Sequence, residues 1–410
     1  MLAELVFVTR LLGLMTGTRA IEARVDPAVH SVEILLDGRR ADLLRGAPWR
    51  TNIDIGAELA PHELTAVARD AEGRELARDT QLLNVPRPQA EIGVMFRRDR
   101  ADITWQHIGG VMPKKMSVKL NGKTLASTLT RSVKLPALPP DAMNVLSIDL
   151  EFEDGASAQR DVVFGGYSEE VPAELTATLV RERQGTKDPA KCFRLDGKPV
   201  VASEVETGGA TVLVVRAGAA PGEEFRRRNL NRARMPEAGF AMPYTSLRFI
   251  WPVADGVGNS DLFLSSGSFE ANRGVRFLLT NVEGSRGPAL RFADALAVAG
   301  TEALREPRRR AIVLLLNGEE DQSRYHADVV RRYLQRIGVP LFVWSIKGPG
   351  RHPAWGEVED VSTNERMQVA VRRLREELDR QRVAWLPVDP YDALRVEASA
   401  KCAWEPLTSR

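Results

Sequence analysis

Apolar and polar residues alternate in SVEILLDGRRADLLRGAPW (31–49) and in HELTAVARDAEGRELA (62–77), and the alternation returns in MSVKLNGKTLASTLTRSVKL (116–135) and NVLSIDLEFEDGASAQ (144–159). A period of two is that of a strand with one face in a core and the other in water. In each copy the first strand runs into Asp37-Gly38 or Asn121-Gly122, dipeptides whose backbones tolerate positive φ and so favour a tight hairpin. Each second strand ends in an acidic-Gly turn, at Gly73 or Gly155. Gly38 and Gly122 lie 84 residues apart, about the length of one small β-sandwich, which predicts two sandwich modules over 21–88 and 89–172. NVPRPQAE (84–91) reads as a stiff joint between them.

The second half changes period. ATVLVVRAG (210–218), SLRFIWPV (246–253), GVRFLLTN (274–281), RAIVLLLNG (310–318), VPLFVWSI (339–346) and VAWLPVD (383–389) are short apolar runs, the pattern of strands buried on both faces. Helical spacing appears between them. Apolar residues recur from Tyr325 to Ile337, with Gly338 placed for a left-handed cap. A second helix aligns Met367, Val371, Leu374 and Leu378, and Ser362 with Glu365 reads as its capping box. Pro288 opens a third helical stretch through Leu290, Ala293, Leu296 and Ala297. Strands alternating with helices predict a doubly wound α/β domain over 173–404, its sheet mostly parallel.

Composition narrows the chemistry. Of 410 residues, 43% are hydrophobic and 27% charged, so the chain folds; Lys plus Arg number 57 against 55 acidic residues, and a net charge of +2 offers no field for nucleic acid. The arginine runs 226–228 and 308–310 read as solvated element ends. No stretch reaches the about 20 apolar residues of a membrane-spanning helix. Residues 1–20 fit either a signal peptide or a first strand. Two cysteines, Cys192 and Cys402, permit one bridge and exclude a disulfide scaffold.

Catalytic and metal motifs are missing. LSSGSF (264–269) lacks a nucleophile elbow's glycines, Asp255, Asn259 and Asp261 lack the spacing of a calcium loop, and His352 has no orienting partner. His30, His62 and His107 stand alone.

ATVLVVRAG, GPALRFADALAVAG, RRRAIVLLLNGEEDQS and LQRIGVPLFVWSI, in that order, resemble the von Willebrand factor type A (VWA) domain in the form that follows immunoglobulin-like modules in bacterial envelope proteins. The likeness runs from about Thr176 to Cys402, and FRLDGKPVVASEVETGG (193–209) resembles the lead-in strands of those proteins. The resemblance implies a Rossmann-like sheet and, in many members, a divalent cation held at its carboxyl end. Carried over position by position, that metal site is degenerate: Arg216 replaces the first aspartate, Gly218 and Ala220 the two serines, Pro288 the threonine and Asn317 the last aspartate. A second alignment offers Glu223 and Glu224 instead. The vacated cleft is then expected to hold a salt bridge from Arg216 to Glu319, Glu320 or Asp321, with Trp355 at its rim. Chain ends lie close in this fold, so a Cys192–Cys402 bridge fits, as do two free thiols.

The expectation is a non-enzymatic, extracytoplasmic binding protein without cofactor or metal, meeting a protein partner through Arg216, Asn317, Glu319, Glu320, Asp321 and Trp355. A structural subunit of an envelope complex is the alternative, and a hydrolase using His352 or Glu320 the least supported.

Overall fold

The computed structural model describes residues 5–9, 11, 13–85, 90–97, 100–107, 111–136, 144–153, 157–164, 175–185, 192–217, 246–250, 252, 265–270, 290–305, 307–348 and 353–408. The chain divides into two compact units, Met1–Pro172 and Ala173–Arg410.

The first unit holds two β-sandwiches of one topology. In the first, β1 (Leu5–Phe7), β2 (Thr18–Val25) and β5 (Arg50–Asp54) form a three-stranded sheet; β3 (Ser31–Leu36), β4 (Arg39–Leu44), β6 (His62–Arg69) and β7 (Glu75–Leu83) form a four-stranded one in the order β4-β3-β6-β7. The second repeats this with β8 (Ala90–Arg97), β9 (Arg100–His107) and β12 (Ser132–Lys134) facing β10 (Pro113–Leu120), β11 (Lys123–Ala126), β13 (Asn144–Phe152) and β14 (Ser157–Phe164), ordered β11-β10-β13-β14. The alternation has the expected cause: Val32, Ile34, Leu64, Ala66 and Ala68 share one core, and Val118, Leu146, Ile148, Leu150 and Phe152 the other.

Both hairpins form where the dipeptides predict them. Leu36 pairs with Arg39 and Leu120 with Lys123, leaving two-residue loops with φ of 52° and 73° at Asp37-Gly38 and 49° and 78° at Asn121-Gly122. Leu5–Phe7 forms a strand that pairs with β2 and is buried with Leu11 and Met15. The first sandwich therefore reaches back past residue 21. Side chains of β7 and the residue following it hold this segment, with Gln81 accepting from Leu11 N–H at 2.9 Å and Asn84 from Met15 N–H at 2.8 Å.

The second unit contains a six-stranded sheet. Its strands are β19 (Ala210–Arg216), β20 (Ser246–Ile250), β21 (Ser265–Glu270), β22 (Arg309–Leu316), β23 (Leu341–Ser345) and β24 (Glu359–Asp360), in the order β21-β20-β19-β22-β23-β24. All neighbours are parallel except the edge pair β20–β21. Helices cover both faces: α1 (Phe292–Leu304) and α2 (Ala327–Arg336) lie against each other on one, and α3 (Asn364–Arg380) lies on the other. Met367, Ala370, Val371, Leu374 and Leu378 of α3 pack on Val212, Val214, Val313, Leu315 and Trp344. Gly300 lets α1 approach α2, for a Cβ there would lie 2.6 Å from Leu334 Cδ2.

Three expectations need correction. VAWLPVD does not join the parallel sheet. Its strand β25 (Gln381–Leu386) pairs antiparallel with β15 (Thr176–Glu182) and β18 (Glu204–Glu206), in a separate layer completed by β27 (Trp404–Pro406). Beside it, β16 (Phe193–Leu195), β17 (Lys198–Val200) and β26 (Glu397–Ala398) form a small three-stranded sheet. The cap of α3 is Thr363, accepting from the N–H of Arg366, the third residue of the helix, at 3.3 Å, rather than Ser362, which is one residue too early to reach it. Arg308–Arg310 is not a solvated end, since Arg310 is buried and Arg309 donates to Leu378 O at 3.0 Å. GVRFLLTN and Pro288 lie outside the described residues.

Candidate functional site at the carboxyl end of the sheet

The chain starts this sheet at its centre with β19, moves outward to β20 and β21, then returns to lay β22 on the opposite side. A doubly wound sheet opens a crevice where its connections diverge, beyond the carboxyl ends of β19 and β22. Arg216 ends β19, its Cα partner being Leu315, and Asn317 follows the end of β22.

Arg216 is 0% exposed. Strand alternation sets it on the face of Val212 and Val214, where its guanidinium carbon lies 5.5 Å from the Phe249 ring centroid, within cation–π range. Burial pulls its pKa down to about 10, so at neutral pH it is a cation in a dry environment. That cation occupies the position the VWA resemblance gives to a metal-binding carboxylate. A guanidinium there repels a dication by several kcal/mol and supplies no oxygen ligand, so this residue does not fit the metal. Gly218, Ala220 and Pro288, together with Glu223, Glu224, Asp255, Asn259, Asp261 and His352, lie outside the described residues.

The anticipated salt bridge is absent: among the described residues no ion pair joins Arg216 to Glu319, Glu320 or Asp321. Their positions explain it. Glu319 folds back to accept from Asn317 N–H at 2.6 Å, while Glu320 is exposed. Asp321 serves α1 instead. The first-turn amides of a helix need acceptors, and the N-cap residue of α1, Arg291, provides no side-chain bond. Asp321 fills this role from a distant loop, accepting from Phe292 N–H at 2.9 Å and Ala293 N–H at 3.3 Å, and its charge suits the positive end of the helix.

Asp294 completes the clamp, and no local sequence pattern marks it. Buried at the start of α1, it accepts from Arg291 Nε at 2.7 Å and from the Arg324 and Tyr325 amides, both at 3.1 Å. The loop after β22 is thus fastened to α1 by two carboxylates. In the turn itself Gly318 has φ of +84° beneath the Lys347 side chain.

Trp355 does not offer a rim contact. It lies in a 3-10 turn, Pro353–Trp355, and is only 4% exposed. The turn packs on α2, with the Arg331 guanidinium lying over the backbone of Gly356. A large ring gains more from covering apolar surface than from standing in water. Trp344 is core, and Trp385 donates its indole N–H to Glu206 at 2.8 Å.

Cys192 and Cys402 form a disulfide with Cα atoms 4.9 Å apart, spanning 210 residues. Both are buried in the second layer with Val180, Phe193, Ala384 and Trp404. Arg183 fastens the same segment, donating to Cys402 O at 2.8 Å and Ser399 O at 2.7 Å. Among the described residues no helix is long and apolar enough to cross a membrane.

No family model and no curated protein matches the chain. Solved structures similar to it include the fibronectin(III)-like modules of Clostridium thermocellum CbhA, at 15% identity over 41% of this chain and 99% of that one with a TM-score of 0.17. The central fibronectin-III array of RIM-binding protein is 14% identical over 48% of this chain and 78% of that one, TM-score 0.19. A bacterial ice-binding adhesin is 11% identical over 45% and 76%, TM-score 0.15.

Proposed function

We propose that the protein is a non-enzymatic, extracytoplasmic binding protein, in which two immunoglobulin-like sandwiches present a VWA-like domain that engages a protein partner without a metal. The observation carrying this reading is Arg216, a buried guanidinium at the carboxyl end of the central strand. Two features support it: the strand order with a single antiparallel edge, and a disulfide that requires an oxidising compartment. The fixed cation takes the place of a bound ion, so contacts around the crevice do not depend on divalent metal.

The test is capture of envelope proteins on the immobilised full chain, with and without a chelator. The expected result is a partner retained equally in both, and lost on substitution of the exposed Glu320 and Lys347 beside the crevice. Loss of that partner in chelator contradicts the reading. Recovery only within a permanent stoichiometric complex moves it to a structural subunit.

A further inference from the structure

At the opposite, amino end of the same sheet, Arg310 and Thr211 are direct Cα partners on β22 and β19. Paired residues of neighbouring strands point to one face, so both side chains enter the layer beneath α1. Each is 5% exposed. The backbone of Arg310 is satisfied by Gln381, which accepts from its N–H at 2.8 Å and donates to its C=O at 3.1 Å. Among the described residues its guanidinium makes one bond, from Nη1 to Ala303 O at 3.2 Å in the last turn of α1. Arg310 Nε and Thr211 Oγ are buried with no hydrogen-bond partner among the described residues, and no carboxylate there pairs with Arg310.

A buried cation facing only the partial negative charge of a helix end is under-compensated. Burial pulls the pKa of Arg310 down to about 9, which leaves it charged at neutral pH. The two orphaned groups lie on adjacent strands, and both present a proton: Nε–H permanently, the threonine hydroxyl by rotation. Two partnerless donors on paired residues, beside a positive charge without a carboxylate, favour an anion over a water, whose own protons would need acceptors. The near-complete cover excludes anything larger than a simple ion.

We propose that Arg310 and Thr211 form a binding site for one small inorganic anion of chloride size, closed over by α1. This site is independent of the carboxyl-end crevice and of the function assigned to it.

Thermal unfolding of the full chain in chloride and in gluconate at equal ionic strength tests it. The unfolding temperature is expected to be higher in chloride by about 3 °C, as binding to the folded state alone requires. Thr211→Val, nearly isosteric, and Arg310→Gln are expected to respond identically to the two salts; if Arg310→Gln does not fold, Thr211→Val carries the comparison. Equal unfolding temperatures for the unsubstituted chain, or a full chloride response in Thr211→Val, overturn the proposal. In bromide-soaked crystals an anomalous peak is expected within hydrogen-bond distance of Arg310 Nε, and a water only at that place also overturns it.

Discussion

Replacing Cys192 and Cys402 together by serine is expected to lower the stability of the α/β unit by about 2–5 kcal/mol, read as an earlier chemical-unfolding midpoint with a steeper slope, since the unfolded chain without its cross-link exposes more surface. The bridge joins segments 210 residues apart, and a cross-link over a loop that long removes much freedom from the unfolded chain. Native packing adds to the effect. Both sulfurs lie in a core with Phe193, Ala384 and Trp404, so serine introduces hydroxyls into apolar surroundings. The segment around Cys402 is additionally tied by Arg183 and by pairing of β27 with β15, so it stays docked and the loss remains within this range. Unchanged stability on removing both sulfurs contradicts a structural role for the bridge.

Arg216→Asp is expected to cost about 3–5 kcal/mol and to gain nothing from magnesium. The substitution sets a carboxylate, with no cation among its motif partners, at a site that is fully buried beside the negative face of the Phe249 ring. Burial raises the folded-state pKa of such a carboxyl above the about 3.9 of the unfolded chain. The folded state then binds more protons than the unfolded state, so stability falls as pH rises from about 4 through the raised value, and acidification partly restores it. Introducing one aspartate does not build a metal site, since Gly218, Ala220, Pro288 and Asn317 still stand where the VWA resemblance places the other ligands. Denaturant unfolding of the variant across pH, with and without magnesium, measures both effects. A metal-dependent recovery of stability contradicts the account.

Local signals explain what was legible in the sequence. The hairpins at Asp37-Gly38 and Asn121-Gly122 follow from two residues each, and a third at Asp196-Gly197, φ 48° and 77°, carries the same signal. Alternation along β13 and helical spacing in α2 and α3 mark their buried faces directly. Non-local choices were not legible. An apolar strand such as β25 satisfies either of two sheets, and only the availability of β15 and β18 decides between them. Asp321 caps a helix that begins 29 residues earlier in the chain, a pairing no spacing rule reaches. Arg310 carried a usable sign: it falls in the alternation of Ile312 and Leu314, which put it inside, but its place in an arginine run suggested a wet end.

The crevice beyond β19 and β22 carries its own fixed cation, Arg216. Calorimetric titration of the intact chain with Mg²⁺, Mn²⁺ and Ca²⁺ is expected to show no binding heat at the crevice for any of the three. Micromolar binding that disappears when Asn317 or the 319–321 acidic turn is substituted would contradict it.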